Sequence, residues 1–384
     1  MNILYLGAFP PAFLIKRSGG KIDSFYRASE SLIEGFRSLS DVKLDVITSP
    51  DLCSWPRGPL FIPREESRYD GVTLVSSLNI SFIKQLWTII SMTYECIRCI
   101  RKNEGKTVVL IPYVVFRHVF TLRLLRLLCP RRVMQACIVP DIFFPTSKIV
   151  RAVNSFTIQM ASKFDAFVFY TKHMSDKFHV ESDKYEVIEG FRTILERDPV
   201  STDVFKVVYA GTLNLEYGVG RLVDAMALLS NPDIELHLYG AGSGVTAIQE
   251  ASINDPRIVY HGRVSNTEAS DAIYGATLLI NPRNASDGEY TKYSFPSKDI
   301  EYLSTGIPTL LCKLPGMPPE YYGYFIDLGD ATPSEIASAI TKVKTMSTEE
   351  RNMFGKKARA FIKDRMNCTR QAERIRSLFD RVLS

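Results

Sequence analysis

Residues 196–212, ERDPVSTDVFKVVYAGT, divide the sequence into two halves that follow the same plan. The polar run 196–203 is followed by FKVVYAGT (205–212), a short apolar run that is typical of a buried strand. Before this stretch, short apolar runs alternate with helical patterns, and after it the alternation begins again. We therefore predict a domain boundary within residues 195–205.

Short apolar runs bounded by turn residues predict the strands of both halves. They comprise residues 2–9, 42–48, 106–112, 132–139 and 165–171, and then residues 205–212, 234–242, 257–264, 276–282, 307–312 and 322–328. Helical patterns such as residues 24–39 lie between them, and residues 50–70 are predicted to form a loop. This alternation predicts an α/β protein in which helices cover both faces of a parallel sheet.

The expected architecture is two Rossmann-like domains with a cleft between them. We predict an N-terminal domain at residues 1–198 and a C-terminal domain at residues 199–365. The sequence ends in a helical stretch, residues 349–384, with no strand after it. Its last part, residues 366–384, is predicted to pack back across the seam between the domains.

The composition excludes several classes of protein. The 384 residues are 46% hydrophobic and 23% charged, as in soluble globular proteins, and no run of about 18 apolar residues predicts a membrane span. The N-terminal MNILYLGAFPP lacks a basic leader and predicts a strand rather than a signal peptide. Seven scattered cysteines predict reduced thiols and a cytoplasmic protein. No metal-ligand cluster and no nucleic-acid-binding module is recognisable, so we expect no metal cofactor and no nucleic-acid partner.

Positive charge is concentrated in the first half of the sequence. Residues 1–200 hold 27 Lys and Arg against 20 Asp and Glu, whereas residues 201–384 hold 20 against 22. Much of the excess lies in residues 98–132, where leucines at helical spacing alternate with arginines. Two interpretations remain open: a solvated helix face above a buried leucine stripe, or an interfacial helix at the inner face of an anionic membrane.

The stretch YTKYSFPSKDIEYLSTGIP (290–308) has the start and stop signals of a short helix. Pro296 suits the first helical turn, and Gly306 suits the left-handed residue that follows a helix. Lys298 then lies in the first turn, where the helix dipole disfavours a cation. A bound anion would remove this conflict.

We therefore predict a pyrophosphate site at the start of this helix. The N–H groups of Ser297 and Lys298, the Lys298 side chain and Arg283 would hold the phosphates. Glu301 lies one turn after Lys298 on the same face, where its carboxylate can accept two hydrogen bonds from a ribose diol. The alternative is a Lys–Glu pair on the surface.

Other predicted strand ends carry glycines that let a ligand approach the backbone. They are Gly19 and Gly20 after the first strand, Gly211 with Thr212 at the end of 205–212, and Gly262 before Arg263 and Val264. Taken alone, each of these motifs is equally consistent with an ordinary turn.

The second half of the sequence resembles the retaining glycosyltransferases of the GT-B fold, the "glycosyl transferases group 1" family. VVYAGTLNLEYGVGRLVDAM (207–226) resembles the strand, loop and helix that open the family's donor domain. RIVYHGRVSNTEASDAIYGATLLINP (257–282) and SFPSKDIEYLSTGIPTL (294–310) resemble its middle segments and its nucleotide-sugar segment, most closely in members that build capsular or exopolysaccharide chains. The resemblance spans nearly the whole chain and is most specific over residues 165–325.

The resemblance implies roles for individual residues. Glu301 corresponds to the family's ribose-binding glutamate, and residues 295–298, which begin at Phe295, correspond to the backbone that binds the distal phosphate. Gly19 and Gly20 match the glycine loop near the donor phosphate. Arg263 and Val264 lie where backbone groups contact the base.

The sequence departs from the family pattern at three positions. Tyr293 occupies the position of a glutamate, which Glu289 would replace. Thr212 and Tyr217 stand where the family has a basic pair, so Lys298, Arg283 or Lys292 would have to bind the diphosphate. Because the family's cleft histidine is not evident, Asp141, after the strand 132–139, is the candidate for holding the transferred sugar or the acceptor.

The predicted activity is transfer of a sugar from a nucleotide-diphosphate sugar to a glycan or polyprenyl-linked acceptor in polysaccharide or glycoconjugate biosynthesis. The resemblance implies retention of the anomeric configuration without a metal. Catalytic roles are predicted for Asp141, Arg283 and Lys298. A nucleotide-sugar epimerase of related fold and a non-catalytic glycosyltransferase-like subunit are the alternatives.

Overall fold

The computed structural model describes residues 1–7, 24–49, 52–66, 71–81, 83–143, 147–200 and 204–384. The chain divides into two compact units. The first comprises Met1–Thr193 together with Met366–Ser384, and the second comprises Ile194–Arg365. The sequence placed the corresponding boundaries after residues 198 and 365.

The first unit is built on a sheet whose described strands run in the order β10-β9-β8-β7-β1-β2-β5-β4. Neighbouring strands are parallel, except that β4 is antiparallel to β5; β3 and β6 form a separate antiparallel pair. The strands are β1 (Asn2–Gly7), β2 (Lys43–Thr48), β3 (Phe61–Ile62), β4 (Glu65–Glu66), β5 (Val72–Leu74), β6 (Ser77–Leu78), β7 (Thr107–Ile111), β8 (Val133–Val139), β9 (Ala166–Phe169) and β10 (Tyr185–Val187).

Helices connect these strands and cover the sheet. In the described residues of the first unit before the boundary they are α1 (Ser24–Arg37), α2 (Ile83–Lys102), α3 (Phe116–Leu128), α4 (Lys148–Ala161) and α5 (Met174–Phe178). Helix α2 packs against α3, and α3 packs against α4. These three helices therefore lie side by side in one layer.

The second unit is built on a fully parallel sheet in the order β13-β12-β11-β14-β15-β16. Its described strands are β11 (Phe205–Ala210), β12 (Ile234–Tyr239), β13 (Ile258–Gly262), β14 (Leu278–Asn281), β15 (Thr309–Leu311) and β16 (Ile326–Asp327). Its helices are α6 (Val219–Ala227), α7 (Val245–Asn254), α8 (Asn266–Tyr274), α9 (Ser297–Leu303), α10 (Pro333–Thr345) and α11 (Thr348–Arg365). The strand order reverses between β11 and β14, which is where open parallel sheets bind ligands.

The last helix, α12 (Cys368–Leu383), belongs to the first unit. It packs on α1, and its Ile375, Leu378 and Phe379 are buried in the core that contains Ile3 and Phe36. The return of the chain end to the first domain was predicted, and the structure confirms it.

Two sequence predictions of elements need correction. Residues 50–70 were predicted as a loop, but their described part contains β3 and β4. Residues 349–384 were predicted as one helical stretch, but it is divided into α11 and α12. The side chain of Asn367 accepts a hydrogen bond from the N–H of Arg370 at 3.0 Å, and this cap starts a new helix.

Candidate active site

The candidate site lies at the carboxyl ends of β11 and β14, the two strands at the reversal point of the second sheet. Strand β11 ends at Ala210 and continues into Gly211 and Thr212. Strand β14 ends at Asn281 and continues into Arg283. Helix α9 is fixed to the same edge, because the Tyr302 hydroxyl accepts a hydrogen bond from the Ala210 N–H at 2.8 Å and lies 3.3 Å from its carbonyl oxygen.

The boundaries of α9 explain part of the sequence signal. Pro296 was expected in the first turn but is the N-cap residue, with extended backbone, and the helix begins at Ser297. Gly306 has φ of +86°, as predicted for a residue that ends a helix in the left-handed region. Lys298 and Asp299 therefore both lie in the first turn.

Lys298 reaches back over the end of β11. Its ammonium nitrogen lies 3.5 Å from the centroid of the Tyr209 ring, a cation–π contact. A Cβ atom added to Gly211 would overlap Lys298 Nζ, so glycine leaves the space that the lysine occupies. Burial lowers the pKa of Lys298 to about 7, the Asp299 carboxylate opposes this shift, and the Arg283 charge adds to it.

Asp299 is held in place by Asn281, the last residue of β14. Asn281 Nδ2 donates a 2.6 Å hydrogen bond to Asp299 Oδ1, and both side chains are buried. Burial raises the pKa of Asp299 to about 6, whereas the hydrogen bond from Asn281 and the charge of Arg283 act in the opposite direction. The first turn of α9 therefore carries Lys298, which contacts Tyr209 of β11, and Asp299, which is bonded to the end of β14.

Arg283 lies between two tyrosine rings. Its guanidinium carbon is 4.2 Å from the centroid of the Tyr217 ring and 5.2 Å from that of Tyr290. Within the described parts of the chain, neither Arg283 nor Lys298 forms an ion pair with a carboxylate, and the Tyr290 hydroxyl is buried without a hydrogen-bond partner. The site therefore concentrates positive charge that the second unit does not neutralise by direct pairing.

A second arginine braces the loop after β14. Arg221, on α6, donates to both carboxylate oxygens of Asp287 at 3.0 and 3.1 Å and to the carbonyl of Pro282 at 2.7 Å. A bidentate pair of this kind fixes geometry as well as charge. It holds the backbone on which Arg283 lies.

Three glycines line up where β11, β12 and β13 end. Gly211 N–H donates to the Tyr239 carbonyl and Gly240 N–H donates to the Gly262 carbonyl, each at 2.8 Å. A Cβ atom on Gly240 would overlap the Gly211 carbonyl oxygen. At these three positions, the edge of the sheet beside Lys298 therefore presents backbone atoms and no side chains.

Side chains of β12 and β13 form a hydrogen-bonded series near this edge. His237 Nε2 donates to the Glu235 carboxylate at 2.8 Å, so in the neutral ring Nδ1 accepts from His261 Nε2 at 2.9 Å. The His261 ring stacks on Tyr239 with centroids 4.1 Å apart. Burial and the neighbouring His237 lower the pKa of His261. These contacts join β12 to β13 just before Arg263.

Residues 204–345 match the model of the family "Glycosyl transferases group 1". The match covers most of the second unit, which is therefore similar to the group 1 glycosyltransferases. No curated protein matches the sequence significantly.

Several solved structures share the fold of the whole chain. The HepE protein of Anabaena in complex with UDP has a TM-score of 0.65 at 14% identity, covering 99% of this chain and 100% of that one. The lipopolysaccharide outer core galactosyltransferase WaaB has a TM-score of 0.62 at 14% identity, covering 100% and 99%. Sucrose-phosphate synthase from Thermosynechococcus elongatus has 0.64 at 14%, covering 100% and 99%. The chain therefore has the GT-B fold, as predicted.

The second unit brings several of the predicted residues together. Gly211, Arg283 and Lys298 lie at one place, and Glu301 is close enough for its charge to act on Lys298. Thr212 is exposed beside them, and its carbonyl accepts a hydrogen bond from the Tyr209 hydroxyl at 2.7 Å.

Other predicted residues of this unit lie around the site. The Tyr293 hydroxyl donates to Glu289 Oε1 at 3.5 Å, and Glu289, Lys292 and Ser297 are exposed. Phe295 is buried with its ring against Tyr321, so its side chain belongs to the core. Arg263 and Val264 follow β13, at the edge of the sheet away from β14. These positions remain predicted donor contacts.

The predictions for the first unit concern separate strand ends. Asp141 follows β8 at the carboxyl edge of its sheet, is exposed, and accepts a hydrogen bond from the Ile142 N–H at 2.8 Å. Gly19 and Gly20 lie outside the described residues. No group of three or more His, Cys, Asp or Glu side chains within the described ranges is arranged to hold a metal ion.

Sequence reasoning missed the aromatic surroundings of the two cations. Tyr217 had been noticed only because it lacks the charge of the family's lysine, and Tyr290 and Asp299 had not been singled out. No local pattern indicates these contacts, since they join a loop after β11, a loop after β14 and a helix.

Proposed function

We propose that the chain transfers a sugar from a nucleoside-diphosphate sugar to a hydroxyl group of a glycan or polyprenyl-linked acceptor. The observation that carries this proposal is the pair Arg283 and Lys298. These cations lie at the reversal point of the sheet, stack on tyrosine rings and have no carboxylate ion pair in the described chain. A diphosphate supplies the negative charge that this arrangement lacks.

The comparisons support a nucleotide as the carrier of that diphosphate. Residues 204–345 match the group 1 glycosyltransferase model, and HepE, which shares the fold, was solved in complex with UDP. In this chain the base would lie along the bare edge at Gly240 and Gly262, towards Arg263 and Val264. Glu301 would accept hydrogen bonds from the ribose.

The proposed chemistry depends on stabilising the leaving group. The bond from the anomeric carbon to the diphosphate oxygen breaks, its electron pair goes to the diphosphate, and the acceptor oxygen bonds to that carbon. Lys298 and Arg283 stabilise the charge that develops on the diphosphate, which is the largest electrostatic demand of such a transfer. The proton of the acceptor hydroxyl leaves to the diphosphate. The family resemblance favours retention of configuration.

The first unit would supply the acceptor side. Asp141, at the carboxyl end of β8, would hold the transferred sugar or the acceptor hydroxyl. An acceptor attached to a polyprenyl carrier would bring the protein to the inner face of a membrane, and a role in polysaccharide biosynthesis would follow. None of the described helices is long and apolar enough to cross a bilayer.

Titration calorimetry with UDP, GDP and ADP tests the site directly. We expect one of them to bind, and Lys298→Ala and Glu301→Ala to weaken its binding by at least about tenfold, as expected for lost charged contacts of about 1.5–3 kcal/mol. Lys356→Ala, at an exposed lysine of α11, is the matched control and should bind as the parent does. Unchanged binding in both site variants would refute the site.

Turnover distinguishes the proposed reaction from other chemistry at the same site. A panel of nucleotide sugars is incubated with and without lipid-linked and soluble glycan acceptors. Acceptor-dependent release of the nucleoside diphosphate supports transfer. An epimerised nucleotide sugar in the absence of acceptor, or tight binding without turnover across the panel, contradicts it.

A further inference from the structure

Helix α2 exposes a stripe of large apolar side chains on one face. The α2 stripe consists of Ile83, Leu86, Trp87, Ile90 and Tyr94, which follow one another at helical spacing. Leu86 and Tyr94 are each 61% exposed. The opposite face is buried through Ile89, Met92 and Cys96, among other residues. The stripe is therefore surplus to the core of the first unit.

Helix α4 exposes a second apolar stripe. The α4 stripe consists of Ile149, Val150, Val153 and Phe156. Only two residues of the fourteen in this helix, Thr157 and Ala161, are buried. Because so little of this helix is buried and its outer face is apolar, we expect that face to be an interaction surface.

The two stripes belong to one positively charged layer. Helices α2, α3 and α4 lie side by side and carry nine Lys and Arg residues but a single acidic residue, Glu95. Glu95 is buried and is already paired with Arg64 at 2.8 Å and Arg98 at 3.0 Å. The layer therefore combines exposed apolar side chains with an excess of basic over acidic residues.

This combination decides what covers the layer. A second copy of the chain would bring two positive layers together, and their repulsion opposes that contact. An anionic bilayer provides negative headgroups for the basic residues and an apolar boundary for the stripes. Trp87 and Tyr94 are the side chains that prefer the headgroup level.

We propose that the α2 and α4 stripes rest on the surface of an anionic lipid bilayer. The contact differs from the one expected within residues 98–132. In α3, Leu122 and Leu125 are buried in the protein, and of its leucines only Leu127 and Leu128 at its end are exposed, so the two stripes of the proposed contact lie on α2 and α4. The proposal concerns binding to lipid and does not depend on sugar transfer.

Tryptophan fluorescence tests the placement of α2. The sequence has two tryptophans, and both Trp55 and Trp87 are partly exposed in the first unit. Trp55→Phe leaves Trp87 as the single emitter, and Trp87→Phe leaves Trp55. With vesicles of phosphatidylcholine containing about 30 mol % phosphatidylglycerol, we expect a blue shift and quenching by brominated lipid for Trp87 and a smaller change for Trp55. Pure phosphatidylcholine should bind far less protein.

Vesicle flotation of full-length variants tests both stripes. Ile90→Glu and Val153→Glu place a charge on each stripe, and Ile253→Glu is the matched control because Ile253 is 83% exposed on α7 of the other unit. We expect the two stripe variants, but not the control, to lose most vesicle binding. Arg151→Glu should lower binding by about fivefold or more, and Lys356→Glu should not. Salt at roughly 0.5 M should weaken binding of the parent protein.

Two results would overturn the proposal. One is vesicle binding without a spectral change at Trp87 and without loss in Ile90→Glu and Val153→Glu. The other is a dimer by light scattering that Ile90→Glu converts to monomer while no variant binds vesicles, which would assign the face to a second copy of the chain. Neither result bears on nucleotide binding by the second unit.

Discussion

The ammonium group of Lys298 lies 3.5 Å from the centre of the Tyr209 ring, at the end of β11. The ring stabilises the cation, but the site withdraws it from water and lowers its pKa to about 7. The lysine is therefore near its titration point at neutral pH before any anion arrives. An arriving diphosphate would favour the protonated form.

Binding of a nucleoside diphosphate should consequently weaken as the pH rises above about 7, by up to about tenfold per pH unit. The ligand is fully ionised in this range, since its terminal phosphate titrates near pH 6, so the change reports the protein. Calorimetry from pH 7 to pH 9 measures it. Lys298→Arg, which keeps its charge, should flatten the profile. A parent profile already flat over this range would contradict the assigned role of Lys298.

The stability of the free protein should change with pH in the opposite direction. The pKa of Lys298 is about 7 when folded and about 10.4 when unfolded, so between these values the unfolded chain binds more protons. The free energy of unfolding should therefore rise with pH over this window. The rise should be absent in Lys298→Met, measured by urea denaturation from pH 7 to pH 9.

Gly211→Ala should damage the site. The added methyl group would overlap Lys298 Nζ, and the backbone at Gly211 has φ of +149°, which other residues rarely adopt. We expect a loss of about 1–3 kcal/mol in stability and a clear loss of nucleotide affinity.

Gly220→Ala is the matched control for that substitution. Gly220 lies in α6, and a Cβ atom there would only make ordinary contact with Leu215. Alanine in a helix should be neutral or stabilising by up to about 1 kcal/mol. Equal effects of the two substitutions on nucleotide binding would contradict the argument.

The sequence predicted most strands because buried parallel strands are short apolar runs, and β8 and β11 are of this kind. It also predicted Gly211, Arg283 and Lys298 as site residues, since each follows a strand or begins a helix at the edge where ligands bind. Their mutual geometry was not predictable. The position of Lys298 over Tyr209 depends on Tyr302 fixing α9 to Ala210, a contact between distant parts of the sequence.

Two side chains have surroundings that the sequence did not indicate. Phe295 lies in the backbone segment predicted to bind the distal phosphate, and its side chain packs in the core against Tyr321. Tyr217 looked like a lost lysine, yet its ring supports Arg283. An aligned position identifies the element on which a residue lies, but side-chain direction depends on packing that a sequence pattern does not contain.

The tyrosines around Arg283 should position it. Tyr217→Leu removes a cation–π contact worth about 0.5–2 kcal/mol and should lower kcat/KM by about two- to thirtyfold. Because the guanidinium is proposed to act on the leaving group, we expect most of this loss in kcat. Tyr217→Phe keeps the ring and should restore activity. Tyr290→Phe should be close to neutral, because its hydroxyl is buried without a partner in the described chain. Equal losses in Tyr217→Phe and Tyr217→Leu would show that the ring is not the cause.

His118, on α3, should make the first unit sensitive to acid. It is fully buried, neither ring nitrogen has a hydrogen-bond partner among the described residues, and burial lowers its pKa to about 3. Between about pH 3 and pH 6.5 the unfolded chain binds the proton and the folded chain does not, so stability falls as the pH falls through this window.

His118→Leu should remove this loss and raise the free energy of unfolding by about 2 kcal/mol more at pH 5 than at pH 8. Urea denaturation at both pH values measures the difference, with His173→Leu as the control at a half-exposed histidine. A stabilisation by His118→Leu that is equal at the two pH values would mean that removal of an unpaired polar group, rather than the titration of His118, is responsible.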